Sequence, residues 1–251
     1  MPRLASAATL LLVPLFATFL AAAPPAEAPN AAEDLLTGRI LGTTPMMSDL
    51  HELTDRIGGR ITGTPACEAA LAWAEQKFKQ IPVDQLELEP FTIPKVWTPR
   101  NAAAACLAPA AFPLSIAAAP GTGSTPEGRP VEGRVVDVGS GSPAEFAKLG
   151  ESARGAIALV HNPEMKTFEE LFGEYMKAAG ILAGASKAGV AAVLIESSRP
   201  RDLLYRHPMT IDGSIAPVPV AILAREQAQR LFRLLADGEV RVRVAIDAPI
   251  L

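Results

Sequence analysis

Short apolar runs, separated by helical patterns and turn residues, fill the second half of the chain. Four of these runs predict strands, with bounds near 133–138, 156–161, 190–196 and 217–223. Residues 190–196 form an uninterrupted apolar run of the kind that lies buried on both faces of a sheet. The helical patterns between the strands cover 142–149, 175–188 and 225–236.

A final strand is predicted at 239–247, where Val240, Val242, Val244 and Ile246 alternate with polar positions. Such alternation is typical of a strand with one buried face. Strands and helices mixed in one small unit predict an α+β or an α/β domain, and we take α+β as the expected class.

The first half predicts two amphipathic helices. Thr44 as N-cap and Pro45 at the first helical position start one, which ends at Gly58. Thr64 and Pro65 start a second, which runs to about Gln80. Isolated amphipathic helices need a surface to pack on. Few other elements lie nearby in the sequence, so that surface is expected elsewhere.

Residues 84–108 alternate in polarity and carry Pro90, Pro94 and Pro99. Because proline cannot donate to a ladder of backbone hydrogen bonds, these residues predict extended, edge-type strands. The loop 120–126 is dense in turn-forming residues and marks the predicted start of a second unit.

The amino terminus has the pattern of a signal peptide over residues 1–23. Arg3 precedes an apolar run from Leu10 to Leu20, and small residues follow it. The run is short for a bilayer span, although a retained membrane anchor is the alternative. Residues 24–43 are predicted to be a linker. We therefore expect a secreted or periplasmic protein, with no membrane attachment after cleavage.

The charge and the cysteine content of the chain exclude further functional classes, namely nucleic-acid binding and a zinc knuckle. The 251 residues carry a formal net charge of -4, which gives no basic surface for nucleic acid. Cys67 and Cys106 could form one disulfide in an oxidising compartment, or remain two thiols that pack as small apolar side chains. Two cysteines are too few for a zinc knuckle.

Motifs for catalysis are weak. Gly180, Gly184 and Gly189 match neither a dinucleotide fingerprint nor a phosphate loop, so helix packing and a C-terminal cap explain them better. Ser140 and Ser142 are turn residues outside any Gly-x-Ser-x-Gly elbow. A Ser-His-Asp triad would need a histidine supplied by the fold.

The three histidines do not form a ligand motif. His51 is expected in solvent, His161 in a turn after a strand, and His207 in a polar loop open to a partner. Glu169 and Glu170 are adjacent, as in some metal hydrolases, but a role at a helix N-terminus explains them better. We therefore assign no catalytic, cofactor-binding or metal-binding residue.

Residues 153–160 and 185–195, followed by 217–222 and a helix, resemble a protease-associated (PA) domain. Residues 57–65, Ile-Gly-Gly-Arg-Ile-Thr-Gly-Thr-Pro, resemble the start of zinc exopeptidases of metallopeptidase family twenty-eight, in particular its carboxypeptidase Q-like branch. The resemblance implies a PA-type β-rich domain with flanking helices, preceded by a helical N-terminal segment. It divides the rest of the chain into 44–119 (peptidase-like), 120–238 (PA domain) and 239–251 (return strand and linker).

The resemblance also implies where the chemistry lies. The family holds two zinc ions with a His-x-Asp motif, further acidic residues and a late histidine, none of which has a matching position here. The expected role is therefore the non-catalytic N-terminal and PA-domain portion of an exported zinc exopeptidase, which assists substrate access or protein interaction. Its partners would be peptide or protein substrates and a peptidase domain, contacted through the loops 161–172 and 197–214.

Two other hypotheses remain open. One is a stand-alone secreted PA-domain module that binds protein or peptide, and the other is a hydrolase with an unrecognised site. The first helix pair separates the stand-alone module from the portion of a larger enzyme. Leu50, Leu53, Leu71 and Phe78 would be buried in a self-sufficient module and partly exposed in a portion of a larger enzyme.

Overall fold

The computed structural model describes residues 31–251, which fall into two compact units, 31–56 and 57–251. The described part of the first unit holds α1 (Ala31–Leu41) and α2 (Met46–His51), and α2 runs into a π-helical segment, Glu52–Ile57. The predicted signal peptide, residues 1–23, lies outside the described residues. Part of the predicted linker, 24–43, is helical, because Ala31–Leu41 is rich in helix-forming Ala and Leu, and none of the residues of α1 is buried. The role of 24–43 as a linker stays a prediction.

The two predicted helix starts have different outcomes. Thr44 is not the cap of α2, because the helix begins at Met46 and Pro45 takes the N-cap position, without a side-chain cap hydrogen bond. Thr64 does cap α3 (Pro65–Lys79), and its hydroxyl accepts a hydrogen bond from the Cys67 N–H at 3.4 Å. The Thr-Pro pattern therefore predicts the capping residue correctly for α3 but not for the shorter helix α2.

The second unit contains α3 and all of the described strands. The strands are β1 (Asn101–Ala108), β2 (Phe112–Leu114), β3 (Ile116–Ala118), β4 (Val131–Asp137), β5 (Ile157–Val160), β6 (Ala192–Glu196), β7 (Val220–Leu223) and β8 (Arg241–Asp247). The remaining helices are α4 (Pro143–Leu149), α5 (Glu169–Ala188) and α6 (Arg225–Asp237). Every strand and helix predicted between residues 133 and 247 is present, although α5 starts six residues before the predicted Tyr175.

The eight strands form one sheet in the order β2-β1-β8-β4-β5-β6-β7-β3. The four strands β4 to β7 are parallel, and the pairs on either side of them are antiparallel. β2 and β3 lie at opposite ends of this order, yet only Ser115 separates them in the chain. The sheet must therefore curl until its two edges come close, which makes it nearly closed.

Two apolar clusters cover the two faces of the sheet. In β5, Ile157 and Leu159 pack in the cluster that contains α6, whereas Ala158 and Val160 pack in the cluster that contains α4 and α5. This alternation follows from the two-residue period of a strand. Because strands and helices alternate around parallel strands, the architecture is mixed α/β rather than the expected α+β.

The Pro-rich stretch differs from its prediction. Residues 84–100 contain no strand of the sheet, and only β1, after the last proline, is extended and paired over several residues. β1 is not an edge strand, because it lies between β2 and β8. Residues 90–99 form no regular strand, and within them only Trp97 makes an isolated antiparallel bridge, to Ile250. The proline-free residues that follow form β1. The boundary predicted at residue 120 falls within the single sheet, between β3 and β4.

The start of α4 contains a reciprocal cap. The Glu145 backbone N–H donates to the Ser142 hydroxyl at 3.3 Å, and the Glu145 carboxylate accepts from the Ser142 N–H at 2.9 Å. It also accepts from the hydroxyls of Ser142 and Ser140, each at 2.7 Å. These donors, the Ser142 hydroxyl first, lower the pKa of Glu145 to about 2.

We expect Glu145→Ala to lower the free energy of unfolding by about 1 kcal/mol at pH 6, as loss of a helix cap does. The folded-state pKa is depressed, so this stabilisation is present above the usual value of 4.5 and is lost as the pH falls towards 2. Urea unfolding of both proteins between pH 7 and pH 2.5 should show the gap closing. A gap that is constant with pH would contradict an ionic cap.

Candidate functional site

The four parallel strands end at one edge of the sheet, and polar residues collect there. Asp137 ends β4, His161 follows β5, Glu196 ends β6 and Arg225 begins α6 after β7. In open α/β sheets, ligands bind at the carboxyl ends of parallel strands. This edge is therefore the first place to look for a site.

A buried ion pair joins β6 to α6 at this edge. Arg225 Nη1 lies 3.1 Å from Glu196 Oε1, and their side chains are 15% and 5% exposed. Arg225 also donates to the carbonyls of Asn162 and Ser197, and Gln229 Nε2 donates to Glu196 Oε1. The Asn162 N–H donates to the other carboxylate oxygen at 3.2 Å. Both charges are thus compensated, and the network fixes the ends of three elements rather than holding a free reactive group.

His161 is more than a turn residue. Its Nε2 lies 3.0 Å from Asp137 Oδ2, and its ring stacks on Phe232 with centroids 3.5 Å apart. Asp137 is itself held by the Gly139 N–H, which donates to Oδ1 at 2.9 Å. Phe232 lies 71 residues further along the chain, so no local pattern around His161 indicates this contact.

A small polar cavity lies beside this network, with a volume of about 30 Å³. Its polar lining includes Asn162, Glu174, Tyr205 and His207. That volume holds about one water molecule. Burial raises the pKa of the Tyr205 hydroxyl, and the nearby Tyr175 and Glu174 add to the effect. The cavity is too small for a peptide.

His207 lies in a loop, as predicted, but its side chain is largely buried. Its side chain is 12% exposed, its ring lies 4.2 Å from that of Tyr175, and Nε2 is 3.8 Å from Glu174 Oε2. This burial was not predicted, because Pro208 and the charged Arg206 indicate a surface loop. The partners lie on α5, more than thirty residues earlier in the sequence.

An apolar groove lies next to His207, between α5 and the loop that connects β6 to β7. Phe172 and Met176 form one wall and Pro208 and Ile211 the other, around a volume of about 390 Å³. Phe172, Met176 and Ile211 are exposed. The lining contains no charged side chain, so the groove suits uncharged, apolar groups.

The groove and cavity lie where the two predicted contact loops meet. The Met165 N–H donates to the Ser198 carbonyl, and Arg199 Nη1 donates to the Met165 carbonyl, both at 2.9 Å. Loops 161–172 and 197–214 are therefore held together. Their contact with a substrate stays a prediction.

The other motifs have structural roles. Glu169 and Glu170 begin α5, and Glu170 accepts from the Lys166 and Thr167 N–H groups, which lower its pKa. Gly184 packs against Phe146, and Gly189 ends α5 in the left-handed conformation that its position requires. Cys67 and Cys106 are both free thiols.

A second exposed surface lies on α3 and the residues that follow it. Leu71 and Phe78 are 57% and 49% exposed, and Phe91 in the extended segment is 76% exposed. Ile81 and Leu88 are exposed with them. Exposed apolar side chains of this size are typical of a surface that packs against another domain. In the first unit, Leu50 is also exposed, while Leu53 is half-buried.

The described residues do not fit a catalytic zinc centre. Zinc in hydrolases takes three protein ligands and a water. Within residues 31–251, no three His, Cys, Asp or Glu side chains lie close enough to hold a metal ion. The Asp137–His161 pair supplies two donors at most. None of the helices in this part of the chain is long and apolar enough to cross a membrane.

Two curated proteins show what the chain is similar to. Carboxypeptidase Q of Xenopus laevis is 28% identical over 188 residues, which are 73% of this chain and 38% of that protein. Carboxypeptidase Q of Homo sapiens is 25% identical over 189 residues, again 38% of its length. The chain thus spans well under half of the relatives that it matches. No model of a protein family matches it.

Solved structures support the fold. A peptidase M28 precursor from Shewanella amazonensis has a TM-score of 0.68 and 20% identity, over 88% of this chain and 50% of that one. A zinc aminopeptidase from Bacillus subtilis has a TM-score of 0.56 and 19% identity, over 80% and 42% of the two chains. The mixed α/β architecture described above is therefore found within peptidase structures.

The Glu196–Arg225 pair should matter more to stability than an exposed pair of similar geometry. We expect Glu196→Gln to lower the free energy of unfolding by about 3 kcal/mol, because it leaves the Arg225 charge buried without compensation. Glu132→Gln is the matched control: Arg243 Nη2 lies 2.6 Å from Glu132, but both side chains are about half exposed. That change should cost less than about 1 kcal/mol. Equal losses in urea unfolding would contradict the role of burial.

Proposed function

We propose that this chain is the non-catalytic N-terminal and PA-domain portion of an exported zinc-dependent exopeptidase. In this role residues 120–238 form a PA domain that assists substrate access or protein interaction. The partner is a peptidase domain that carries two zinc ions, while the chain itself holds no cofactor. The similarity to carboxypeptidase Q supports the peptidase context.

The exposed apolar surface of α3 and residues 81–91 carries the proposal. In water, Leu71, Phe78 and Phe91 leave apolar area unburied that packing against a domain would remove. The exposure is the outcome expected for part of a larger enzyme and not for a self-sufficient module. We name this surface, formed by Leu71, Phe78, Ile81, Leu88 and Phe91, the α3 surface, and it is where the peptidase domain packs.

The backbone connections of the sheet also support this arrangement. Residues 96–100 run antiparallel to residues 247–251, with the Val96 N–H donating to the Leu251 carbonyl and the Arg100 N–H donating to the Asp247 carbonyl. The chain therefore enters and leaves the sheet side by side. Neighbouring ends are the geometry that lets one domain be inserted into another.

The apolar groove beside His207 favours the second candidate, a secreted module that binds peptide or protein by itself. An uncharged groove of about 390 Å³ accommodates one or two apolar side chains of a ligand. The two candidates differ in whether the α3 surface is covered by a peptidase domain.

A chimera tests the packing of the α3 surface. The 188 aligned residues of Xenopus laevis carboxypeptidase Q are replaced by those of this chain, and peptide hydrolysis and thermal unfolding are measured. Leu71→Asp with Phe78→Asp should reduce activity at least about tenfold, because two carboxylates are buried at a domain interface. Ala69→Asp with Gln76→Asp, on the opposite side of α3, adds the same charge and should leave activity unchanged.

The isolated chain provides the control for folding. There both double variants should change the free energy of unfolding by no more than about 1 kcal/mol, since the substituted positions are exposed. If the Leu71/Phe78 variant of the chimera stays as active as its control, the α3 surface does not contact a peptidase domain and the module hypothesis is favoured.

The isolated chain should also lack peptidase chemistry. After purification and dialysis against zinc, we expect no stoichiometric zinc by atomic emission and no release of amino acids from peptides, because two-metal hydrolysis needs ligands that hold both ions. The Bacillus subtilis zinc aminopeptidase is the positive control in both measurements. Stoichiometric zinc together with amino-acid release would overturn the proposed division of roles.

A further inference from the structure

We propose that the apolar groove beside His207 and the cavity next to it bind one extended peptide segment, with apolar side chains along α5 and a lysine or arginine at Asp212. The inference rests on the proposed function, which gives the chain a contact with peptide or protein, and it names the class of peptide. It concerns a different face from the α3 surface, so the two contacts are tested separately.

The apolar groove continues along α5. A second cavity, of about 460 Å³, lies beside it, since Tyr175, Thr210 and Ile211 line both. The helix contributes Phe172, Tyr175, Met176, Ala179 and Leu182 to the two cavities. The opposite wall comes from the stretch 208–217, which contains no helix or regular strand. The two cavities together are therefore bounded by a regular helix on one side and by a loop on the other.

The length of the two cavities suits a short extended peptide. Phe172 and Leu182 are ten residues apart on α5, which is about 15 Å at the rise of an α-helix. An extended chain advances about 3.3 Å per residue, so about five residues span this distance. The exposed side chains of Phe172, Met176 and Ile211 offer apolar surface to such a chain. The site is thus long enough for several consecutive side chains.

The loop wall is held in place without a ligand. Met209 is buried in one apolar cluster with Ala178 and Ile181 of α5. Further along the loop, the Ala216 N–H donates to the Gly121 carbonyl at 2.9 Å. Binding sites for small groups are usually formed in advance in this way.

Asp212 is the charged side chain that lines these cavities, among the residues that the structure describes. The Ser214 side chain and then its N–H, which is 3.0 Å from Oδ1, hydrogen-bond to the carboxylate and lower the pKa of Asp212. The group is therefore ionised at neutral pH. An ionised carboxylate beside apolar surface is complementary to a cationic residue whose neighbours are apolar.

The chain itself supplies no cation to Asp212 within residues 31–251. Arg206, earlier in the same loop, donates to the Ala118 carbonyl. Lys177 of α5 lines the small polar cavity that contains Glu174. A lysine or arginine of a ligand would therefore meet an unpaired carboxylate, and its apolar stem would lie on the groove.

Three blocked peptides that differ in charge test the inference on the full chain. Acetyl-Lys-Leu-Phe-Leu-Lys-amide places a cation at both ends, whichever way it lies, and the matched peptides carry Ser or Glu instead of both Lys. In NMR titrations the methyl signals of Met176 and Ile211 should shift. The Lys peptide should bind about fivefold more tightly than the Ser peptide, as for a partly exposed ion pair, and the Glu peptide should bind most weakly. Added salt should reduce these differences.

Variants of the chain locate the contact. Asp212→Asn keeps an acceptor for the Ser214 N–H and should abolish the preference for the Lys peptide over the Ser peptide. Asp202→Asn is the matched control, because Asp202 is an exposed acid of the same loop that lines neither cavity, and it should keep the preference. Ile211→Ser should weaken the binding of all three peptides. Unchanged methyl signals from β5 to β7 report that each variant is folded.

Two results would contradict the inference. Equal affinity of the wild-type chain for the three peptides would refute the assignment of a basic residue to Asp212. A folded chain whose Met176 and Ile211 signals shift with none of the peptides would refute the peptide site as a whole. Neither result bears on the α3 surface, whose packing the chimera measures.

Discussion

The structure depends on one constraint: strands β5, β6 and β7 are buried along their whole length on both faces. A strand of this kind must be covered on each side, since its alternate residues point to opposite faces. α4 and α5 cover one face, while α6 and the curled remainder of the sheet cover the other. Polar groups are thereby excluded from the strands and restricted to their ends, which is why the ion pairs and the polar cavity lie at the carboxyl edge.

The same constraint explains which elements the sequence predicts. A continuous apolar run such as 190–196 directly indicates a strand buried on both faces. An alternation such as that of Val240, Val242, Val244 and Ile246 indicates a strand buried on one face. These strands therefore lie where expected. The helix predicted over 142–149 likewise depends on a local interaction, the cap that Ser142 and Glu145 form. Elements defined by local contacts were therefore predictable. The position of β1 was not, because its place between β2 and β8 is set by pairing across more than a hundred residues.

The contacts at the carboxyl edge were missed for a related reason. His161 stacks on Phe232, and His207 faces Glu174, through approaches that only the assembled sheet creates. Neither pair has a fixed spacing that a motif could describe. The sequence does limit what these residues can do, since three histidines without a ligand motif are a poor basis for a metal centre. The folded arrangement adds contacts between these histidines and carboxylates that no spacing indicates.

The two open apolar surfaces differ in kind, and this difference bears on their roles. The groove beside His207 is concave, has walls from α5 and from Pro208 and Ile211, and has a volume suited to individual side chains. The α3 surface has no opposite wall and exposes Leu71, Phe78 and Phe91 on a regular helix and the extended segment after it. Because apolar side chains on an open surface are fully desolvated only by a second surface of similar extent, the α3 surface fits a domain interface, whereas the groove fits a ligand. Under the proposed function, the α3 surface would pack on the peptidase domain, and the groove would stay open to the apolar side chains of a ligand.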